Sequence, residues 1–207
     1  MKISSVTRLE SKQGRFAVIF EDGTEIKVGA AQIADYGVYS GRELSDDEYS
    51  ELCAALELSS SKAQSLRILG NRNMSAGEMK KRLVGKGVDA GTADETVDWL
   101  ESIGAVNDPE YAAMIVRHYA SKGYGNARIR DELYKRGIPK EKWDDALPEA
   151  EGFTDAAQEF LKKKLRGGTD KNDLRRATDA LCRRGFSYSE ASEAVKRYLE
   201  EAEFSQG

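Results

Sequence analysis

The sequence is poor in the residues that most often carry catalysis or bind metals. Its 207 residues include one histidine, His118, and two cysteines, Cys53 and Cys182. The cysteines lie in different parts of the chain without metal-ligand spacing, so we expect buried thiols in a reducing compartment. A lone histidine without a partner pattern is typical of a structural or solvent-facing side chain. These scarcities argue against zinc chemistry and against catalysis by a histidine base.

Long apolar runs and phosphate-binding loops are missing as well. No run of 18 apolar residues could span a membrane, and residues 1–4 are not followed by the apolar segment of a signal peptide. We therefore expect a cytoplasmic protein with no membrane partner. The glycine pairs within 85–87 and 123–125 lack the preceding strand and the following lysine of a Walker loop. Since carboxylates alternate with bases, as surface pairs on helices do, we expect a protein that is not an enzyme.

What the sequence does contain is a short phrase that occurs three times. Residues 83–88, 133–138 and 181–186 each read leucine, two variable residues, a base, a glycine and an apolar residue. The phrases start 50 and 48 residues apart. A period of this size indicates one supersecondary unit stacked several times, in which each unit buries a face that its neighbours complete. Such arrays present long surfaces, which favours binding to a polymer or to other proteins over catalysis.

Each phrase predicts the end of one helix and the beginning of the next. Its glycine, at position 87, 137 or 185, suits the residue after a helix, where a positive φ favours glycine. Ser75 with Glu78, and Ser187 with Glu190, have the spacing of a capping box that opens the following helix.

The same reasoning gives three helices in each unit. Asp108 is predicted to cap a helix that starts at Pro109, and Pro139 fits a first helical position. Together these patterns predict helical repeats at 61–103, 107–147 and 153–202.

The first sixty residues follow a different pattern and predict a separate small domain, 1–58. Alternating apolar residues predict strands near 3–9, 16–20 and 25–28, with a hairpin turn at 21–24. Ser45 and Glu48 form another capping box, which opens a helix predicted to end near Leu56. The serines of 58–61 predict a linker to the helical array.

The net charge of −4 is unevenly distributed. Residues 162–184 contain nine bases and three acids, a net charge of +6, whereas residues 1–60 have a net charge of −5. Two interpretations stand side by side for the basic stretch. It is either a solvated helical face or an electrostatic patch for an acidic or phosphate-bearing partner.

The second predicted repeat has an Asn-Asp start with an aromatic-Ala pair at 107–112, followed by the distinctive segments 123–125, 128–133 and 135–138. With the repeated phrase, these segments resemble the RecX family, the bacterial regulators of the recombinase RecA. The first unit adds Ser75, Glu78 and the phrase that begins at Leu83. The segments 33–38 and 41–44 resemble the N-terminal extension of longer members.

This resemblance implies a mainly α fold: three tandem three-helix repeats in an elongated, curved array, preceded by a small β-hairpin-containing domain. It also implies binding in the groove of the RecA–DNA filament and inhibition of RecA's ATPase, recombinase and co-protease activities, without a cofactor. Some members bind DNA by themselves, so single- or double-stranded DNA is a further expected partner. We expect a monomer.

We predict that the basic faces of the second and third repeats contact the partner, through Arg128, Lys135, Arg136, Lys162, Lys163, Arg175, Arg176, Arg183 and Arg184. The competing interpretation is that bases at helix C-termini only complement the helix dipole, above all Arg136 and Arg184. An alternative function is direct binding of single-stranded DNA without RecA. The sequence pI of about 5.3 argues against that alternative, and a pure scaffold is a third possibility.

Overall fold

A computed structural model describes residues 1–10, 14–147, 154–166 and 168–204. It is mainly helical with a small N-terminal sheet, which confirms the predicted fold class. The elements are β1 (Ile3–Arg8), β2 (Arg15–Phe20), β3 (Glu25–Gly29), α1 (Ala30–Asp35), α2 (Asp46–Leu69), α3 (Ala76–Val84), α4 (Ala90–Ser102), α5 (Asp108–Ser121), α6 (Asn126–Lys135), α7 (Trp143–Ala146), α8 (Thr154–Leu165), α9 (Lys171–Arg183) and α10 (Tyr188–Phe204). None of the helices described is both long and apolar enough to cross a bilayer.

The chain divides into two compact units. The first comprises Met1–Asn71 with Arg82–Leu100, and the second comprises Arg72–Lys81 with Glu101–Gly207. The division therefore passes through the first predicted repeat. Residue 153, the predicted start of the third repeat, lies outside the described residues.

The three predicted strands form an antiparallel sheet in the order β1-β2-β3. The β2–β3 turn lies where the sequence predicts it: the Phe20 amide donates to the Thr24 carbonyl at 2.9 Å, and Gly23 has a φ of +86°. The Asp22 carboxylate accepts from the Thr24 amide at 2.9 Å, and this hydrogen bond lowers the pKa of Asp22. One face of the sheet packs under α2, with a core of Ile3, Val18, Phe20, Val28, Val38, Leu44 and Leu52.

Helix α2 begins as predicted but continues thirteen residues beyond its predicted end at Leu56. Ser45 and Glu48 form the capping box, and the Ser45 amide hydrogen bond is the main cause of the lowered pKa of Glu48. The linker predicted at 58–61 is wrong, since these residues lie inside α2. Serine has only a weak preference against helix, and packing overrides it here. Ser61 is buried and accepts a 2.8 Å hydrogen bond from the Thr96 hydroxyl on α4.

The repeated phrase folds in the same way all three times. Gly87, Gly137 and Gly185 have φ values of +89°, +65° and +94°. The amide after each glycine donates to the carbonyl of the phrase's leucine at 3.2 Å, and each glycine amide donates at 2.9 Å to the carbonyl three residues before it. This pair of bonds is the Schellman motif, which satisfies the last carbonyls of a helix and reverses the chain. The predicted helix ends are therefore confirmed.

The helices after these turns differ between repeats. Both predicted capping boxes, Ser75 with Glu78 and Ser187 with Glu190, are present. In the second repeat, however, Pro139 precedes the helix, and a 3-10 turn at Lys140–Lys142 leads into the single turn of α7. The second repeat thus has a much shorter third helix than its neighbours.

Each of the last two repeats has its own apolar core. In the second, Trp143 and Tyr119 pack as partly buried aromatics against a cluster of Tyr111, Ala112, Ile115, Val116, Ala120, Ile129, Leu133, Ile138, Ala146 and Leu147. In the third, α8, α9 and α10 enclose Ala157, Leu161, Ala177, Leu181, Ala191, Ala194 and Tyr198. Cys53 and Cys182 are free thiols and are half-buried, which is less than the predicted full burial.

Candidate partner-binding surface

The nine predicted contact residues lie on three helices of the second unit. Helix α6 contributes Arg128 and Lys135, with Arg136 as its C-cap, and α8 contributes Lys162 and Lys163. The remaining four are on α9, where Arg184 is the C-cap. Seven of the nine are exposed, whereas Arg136 and Arg184 are half-buried.

Most of the exposed bases form ion pairs with nearby carboxylates. Lys135 lies 2.7 Å and Arg128 lies 3.6 Å from the carboxylate of Asp131, whose pKa is lowered mainly by the hydrogen bond from Lys135. Lys162 lies 2.8 Å from Glu201, and Lys163 lies 3.4 Å from Glu159. Exposed pairs of this kind contribute little to stability, so these bases remain available to a partner that offers a stronger acid cluster.

Helix α9 presents the most concentrated positive charge. Arg176 lies 3.6 Å from Asp173, within its own first turns. For Arg175 and Arg183 no carboxylate lies within 4.0 Å among the described residues, and both side chains are exposed. The helix buries Ala177 and Leu181 on the opposite face, which fixes the arginines on the solvent side.

Arg136 is held inside the junction between the first two repeats. Its guanidinium donates to the Tyr111 hydroxyl at 2.5 Å, lies 5.7 Å from the centre of the Tyr111 ring, and pairs with Glu132 at 3.1 Å. Its backbone carbonyl accepts a hydrogen bond from the Ser75 hydroxyl at the start of α3.

Arg184 lies in the junction between the second and third repeats. Its guanidinium stacks on Phe160, 4.4 Å from the ring centre, and on Tyr124 at 5.5 Å. It also donates to the carbonyls of Lys122 at 3.1 Å and Gly123 at 3.4 Å. Arg184 therefore reaches the preceding repeat through its guanidinium, whereas Arg136 does so through its backbone carbonyl and holds its guanidinium within its own repeat.

Backbone contacts complete these junctions. The amides of Gly125 and Ala127 donate to the carbonyls of Arg184 and Gly185 at 2.9 and 3.0 Å, so the end of α9 meets the beginning of α6 head to tail. The free carbonyls at the end of one helix thus satisfy the free amides at the start of another, and the negative end of one helix dipole meets the positive end of the other.

Glycine makes this close approach possible. A Cβ on Gly77 would lie 2.6 Å from the Gly137 carbonyl oxygen, and a Cβ on Gly125 would collide with the backbone of Gly185 and Phe186. Gly77 and Gly125 are separated by 48 residues, as are Gly137 and Gly185. The recurrence of glycine at 77 and 125 is the sequence signal for the junctions, and no single helix end reveals it.

Asp108 also departs from its predicted role. The cap of α5 is Asn107, whose side chain accepts from the Glu110 amide at 3.1 Å, and Asp108 is the first residue of the helix. The Asp108 carboxylate is fully buried and instead accepts from the Ala76 amide at 2.9 Å, at the start of α3. Its second oxygen lies 3.7 Å from the Lys142 ammonium, too far for a hydrogen bond. The predicted cap therefore serves a helix of the preceding repeat.

Catalytic and metal-binding arrangements were sought among the residues that the structure describes. Within the described ranges, no three His, Cys, Asp or Glu side chains come together as metal ligands do. His118 is exposed and contacts the Tyr119 ring edge to face, at 5.4 Å between ring centres. The features that the described part of the surface does show are helix packing, ion pairs and an arginine-rich face.

Comparison with known proteins connects this architecture to a family. The family described as the second three-helix domain of RecX matches residues 107–147, the range predicted for the second repeat. The Regulatory protein RecX of Xanthomonas axonopodis pv. citri (strain 306) is 33% identical over 141 residues, which cover 67% of this chain and 87% of the relative. This chain belongs to the RecX family. The RecX protein of Streptococcus gordonii is 25% identical over 195 residues, covering 92% of this chain and 76% of that one.

Solved RecX structures share the fold. One, described as the crystal structure of regulatory protein RecX, superposes with a TM-score of 0.76 at 21% identity and covers 95% of this chain and 98% of its own. RecX from Lactobacillus salivarius gives a TM-score of 0.63 at 21% identity, over 70% of this chain and 97% of its own. The relatives are named regulatory proteins, in agreement with the prediction that this chain is not an enzyme.

Proposed function

We propose that this RecX-family protein binds the RecA–DNA filament and inhibits RecA's ATPase, recombinase and co-protease activities, thereby regulating DNA repair and recombination. The observation that carries the proposal is family membership, at 33% identity to a regulatory protein RecX. Helical repeats supply the extended surface that a filament modulator needs to reach more than one protomer. No cofactor takes part in this function.

The contact is proposed to run through the exposed bases of α6, α8 and α9. Arg175, Arg176 and Arg183 are its centre, because they combine exposure with the weakest local neutralisation. Arg136 and Arg184 stay predicted contacts, although their guanidinium groups are already engaged in the repeat junctions. A basic face of this kind raises the encounter rate with an acidic or phosphate-bearing polymer and makes binding sensitive to salt.

A triple charge reversal tests this surface. Arg175→Glu, Arg176→Glu and Arg183→Glu together are expected to abolish inhibition of RecA's DNA-dependent ATPase, while circular dichroism shows unchanged helix content. The matched control reverses three exposed bases of the first unit, Arg8, Lys27 and Lys86, with the same change in net charge. Full inhibition by the α9 variant, or equal loss in both variants, would show that the α9 face is not the contact.

Direct binding of single-stranded DNA is the second candidate function. It is favoured by one observation: Tyr134 has 73% of its surface exposed beside Lys135, a pairing of aromatic ring and base suited to stacking on a nucleotide. The net charge of −4 disfavours it. Fluorescence anisotropy with a bare oligo-dT strand at moderate salt separates the two candidate functions. Tight binding of the strand supports direct DNA binding, whereas a regulator that depends on RecA inhibits RecA under salt conditions in which it binds the bare strand weakly.

A further inference from the structure

The second unit contains a groove that the proposed function does not use as a whole. It has a volume of about 530 Å³ and is lined by residues of α3, of the end of α6 and of the turn that leads into α7. Its apolar part consists of Pro139, Ile138 and the partly buried Trp143, whose indole N–H donates to the Ile138 carbonyl at 3.2 Å. That hydrogen bond holds the indole in place, so the apolar part is formed before any partner arrives.

The charged residues around the groove all have the same sign. They are Lys81 on α3, Lys135 on α6 and Lys140 in the 3-10 turn. Lys135 pairs with Asp131 at 2.7 Å, whereas Lys81 and Lys140 have no carboxylate within 4.0 Å in the part of the chain that is described. The rim around the apolar depression therefore carries the uncompensated positive charge of Lys81 and Lys140, next to a third lysine that is paired with Asp131.

The geometry points to a docking site for an acidic peptide segment of a partner protein, in which one apolar side chain is flanked by Asp or Glu. The apolar side chain would pack between Trp143, Pro139 and the exposed ring of Tyr134, and the carboxylates would pair with the lysines. Aromatic anchors surrounded by a charged rim are the usual centre of such interfaces. The inference does not depend on the proposed function: it shares Lys135 with the proposed filament contact, and Tyr134 with the second candidate function.

Charge and shape favour a peptide over a nucleic acid as the occupant. A polyanion has to approach a chain whose net charge is −4, whereas a short acidic peptide needs only the local charge of the rim. Trp143 is packed against the core of the second repeat, which leaves Tyr134 as the one largely exposed ring among the groove residues. Single-strand binding usually needs several such rings in succession.

The test is a titration of the full-length protein against a fluorescein-labelled peptide of about twelve residues, with a central Phe among Asp and Glu. An extended chain spans about 3.3 Å per residue, so carboxylates on both sides of the Phe can reach the rim. We expect binding that weakens about tenfold or more when Lys81 and Lys140 are both changed to Glu, since each lost ion pair and the added repulsion act together. A peptide in which Ser replaces the Phe is expected to bind about tenfold more weakly, because the apolar anchor is lost. Lys27→Glu with Lys86→Glu is the control, of equal charge change, and should alter binding by less than about twofold.

Three results would overturn the inference. The first is no binding of the Phe peptide, and the second is equal weakening by the groove variant and the control variant. The third is an oligo-dT strand that binds more tightly than the peptide and is lost with the same two lysines, which would assign the groove to single-stranded nucleic acid. Because the readout contains no RecA, failure here leaves the ATPase test of the proposed function unaffected.

Discussion

The buried carboxylate of Asp108 gives the sharpest prediction about stability. Its side chain is fully buried, caps α3 through the Ala76 amide at 2.9 Å and faces the Lys142 ammonium at 3.7 Å. Asp108→Ala removes the cap, worth about 1 kcal/mol, and leaves the amide and a two-thirds-buried ammonium without this partner. The expected loss in the free energy of unfolding is about 3 kcal/mol.

The isosteric variant separates the two contributions. Asp108→Asn retains an oxygen that accepts from the Ala76 amide but removes the charge that faces Lys142, so we expect a loss of about 1–2 kcal/mol. Asp89→Ala is the control, since Asp89 is an exposed cap that accepts from the Gly91 amide at 2.8 Å. Its loss should be about 1 kcal/mol, as for other exposed caps.

Urea denaturation followed by circular dichroism measures these differences, with the slope against urea checked for constancy. The reasoning is refuted if Asp108→Ala costs no more than Asp89→Ala, or if Asp108→Asn is as damaging as Asp108→Ala. The first result would show that burial adds nothing to the cap. The second would show that the ion pair, and not the cap, carries the effect.

Two further predictions concern the repeat junctions. Gly125→Ala should lower the free energy of unfolding by about 2 kcal/mol, because a Cβ there meets the backbone of Gly185. Gly29→Ala is the control: it lies at a helix cap of nearly the same φ and ψ, meets only the flexible end of a glutamine and should cost under about 1 kcal/mol. Equal losses in urea denaturation would contradict the close contact. Burial, and to a lesser extent the nearby Glu78 carboxylate, raises the pKa of Tyr111 above its ordinary value of 10.0. The raised pKa means that the protonated Tyr111 stabilises the fold fully below pH 10, and that this stabilisation is lost as the pH rises through the folded-state pKa. Tyr111→Phe should therefore flatten the fall in stability above pH 10, while Phe at the exposed Tyr134 should not; parallel pH curves for both variants would argue against this role of Tyr111.

The features predicted correctly from sequence depend on neighbours along the chain. The Schellman turns at the three phrases and the capping box of Ser45 and Glu48 are determined by residues within a few positions of one another. A glycine at a helix end predicts a turn with a positive φ, and a serine three residues before a glutamate predicts a capping box, whatever the rest of the chain does. The three strands were predictable for the same reason, since alternation is a local pattern.

The features that were missed depend on residues far apart in sequence. Asp108 resembles a local cap because it precedes a proline, yet its hydrogen-bond partner lies 32 residues earlier, and Asn107 takes the local role. The serines inside α2 resemble a linker by composition, yet Ser61 is buried in the helix and bonded to Thr96, 35 residues later in the chain. In each case the local preference is worth less than about 1 kcal/mol, and tertiary contacts decide.

The sequence identifies the cluster of basic residues but not which of them are exposed and which are packed against other repeats. Arg183 and Arg184 are neighbours with the same side chain, yet Arg183 is exposed and Arg184 stacks between two aromatic rings. The partners of Arg184 come from the preceding repeat and from α8, so neighbouring residues alone give no sign of them. The periodicity of the phrase was the one available clue, because Arg136 occupies the same position and is also half-buried against an aromatic ring.

The most direct test of the account is the single-stranded-DNA-dependent ATPase of the cognate RecA, titrated with this protein at ratios well below one copy per RecA. The account predicts loss of ATPase at far fewer than one copy per RecA, because a regulator of a polymer acts on many protomers at once. Undiminished ATPase up to equimolar protein would contradict it, and the RecX fold of this chain would then serve a different partner.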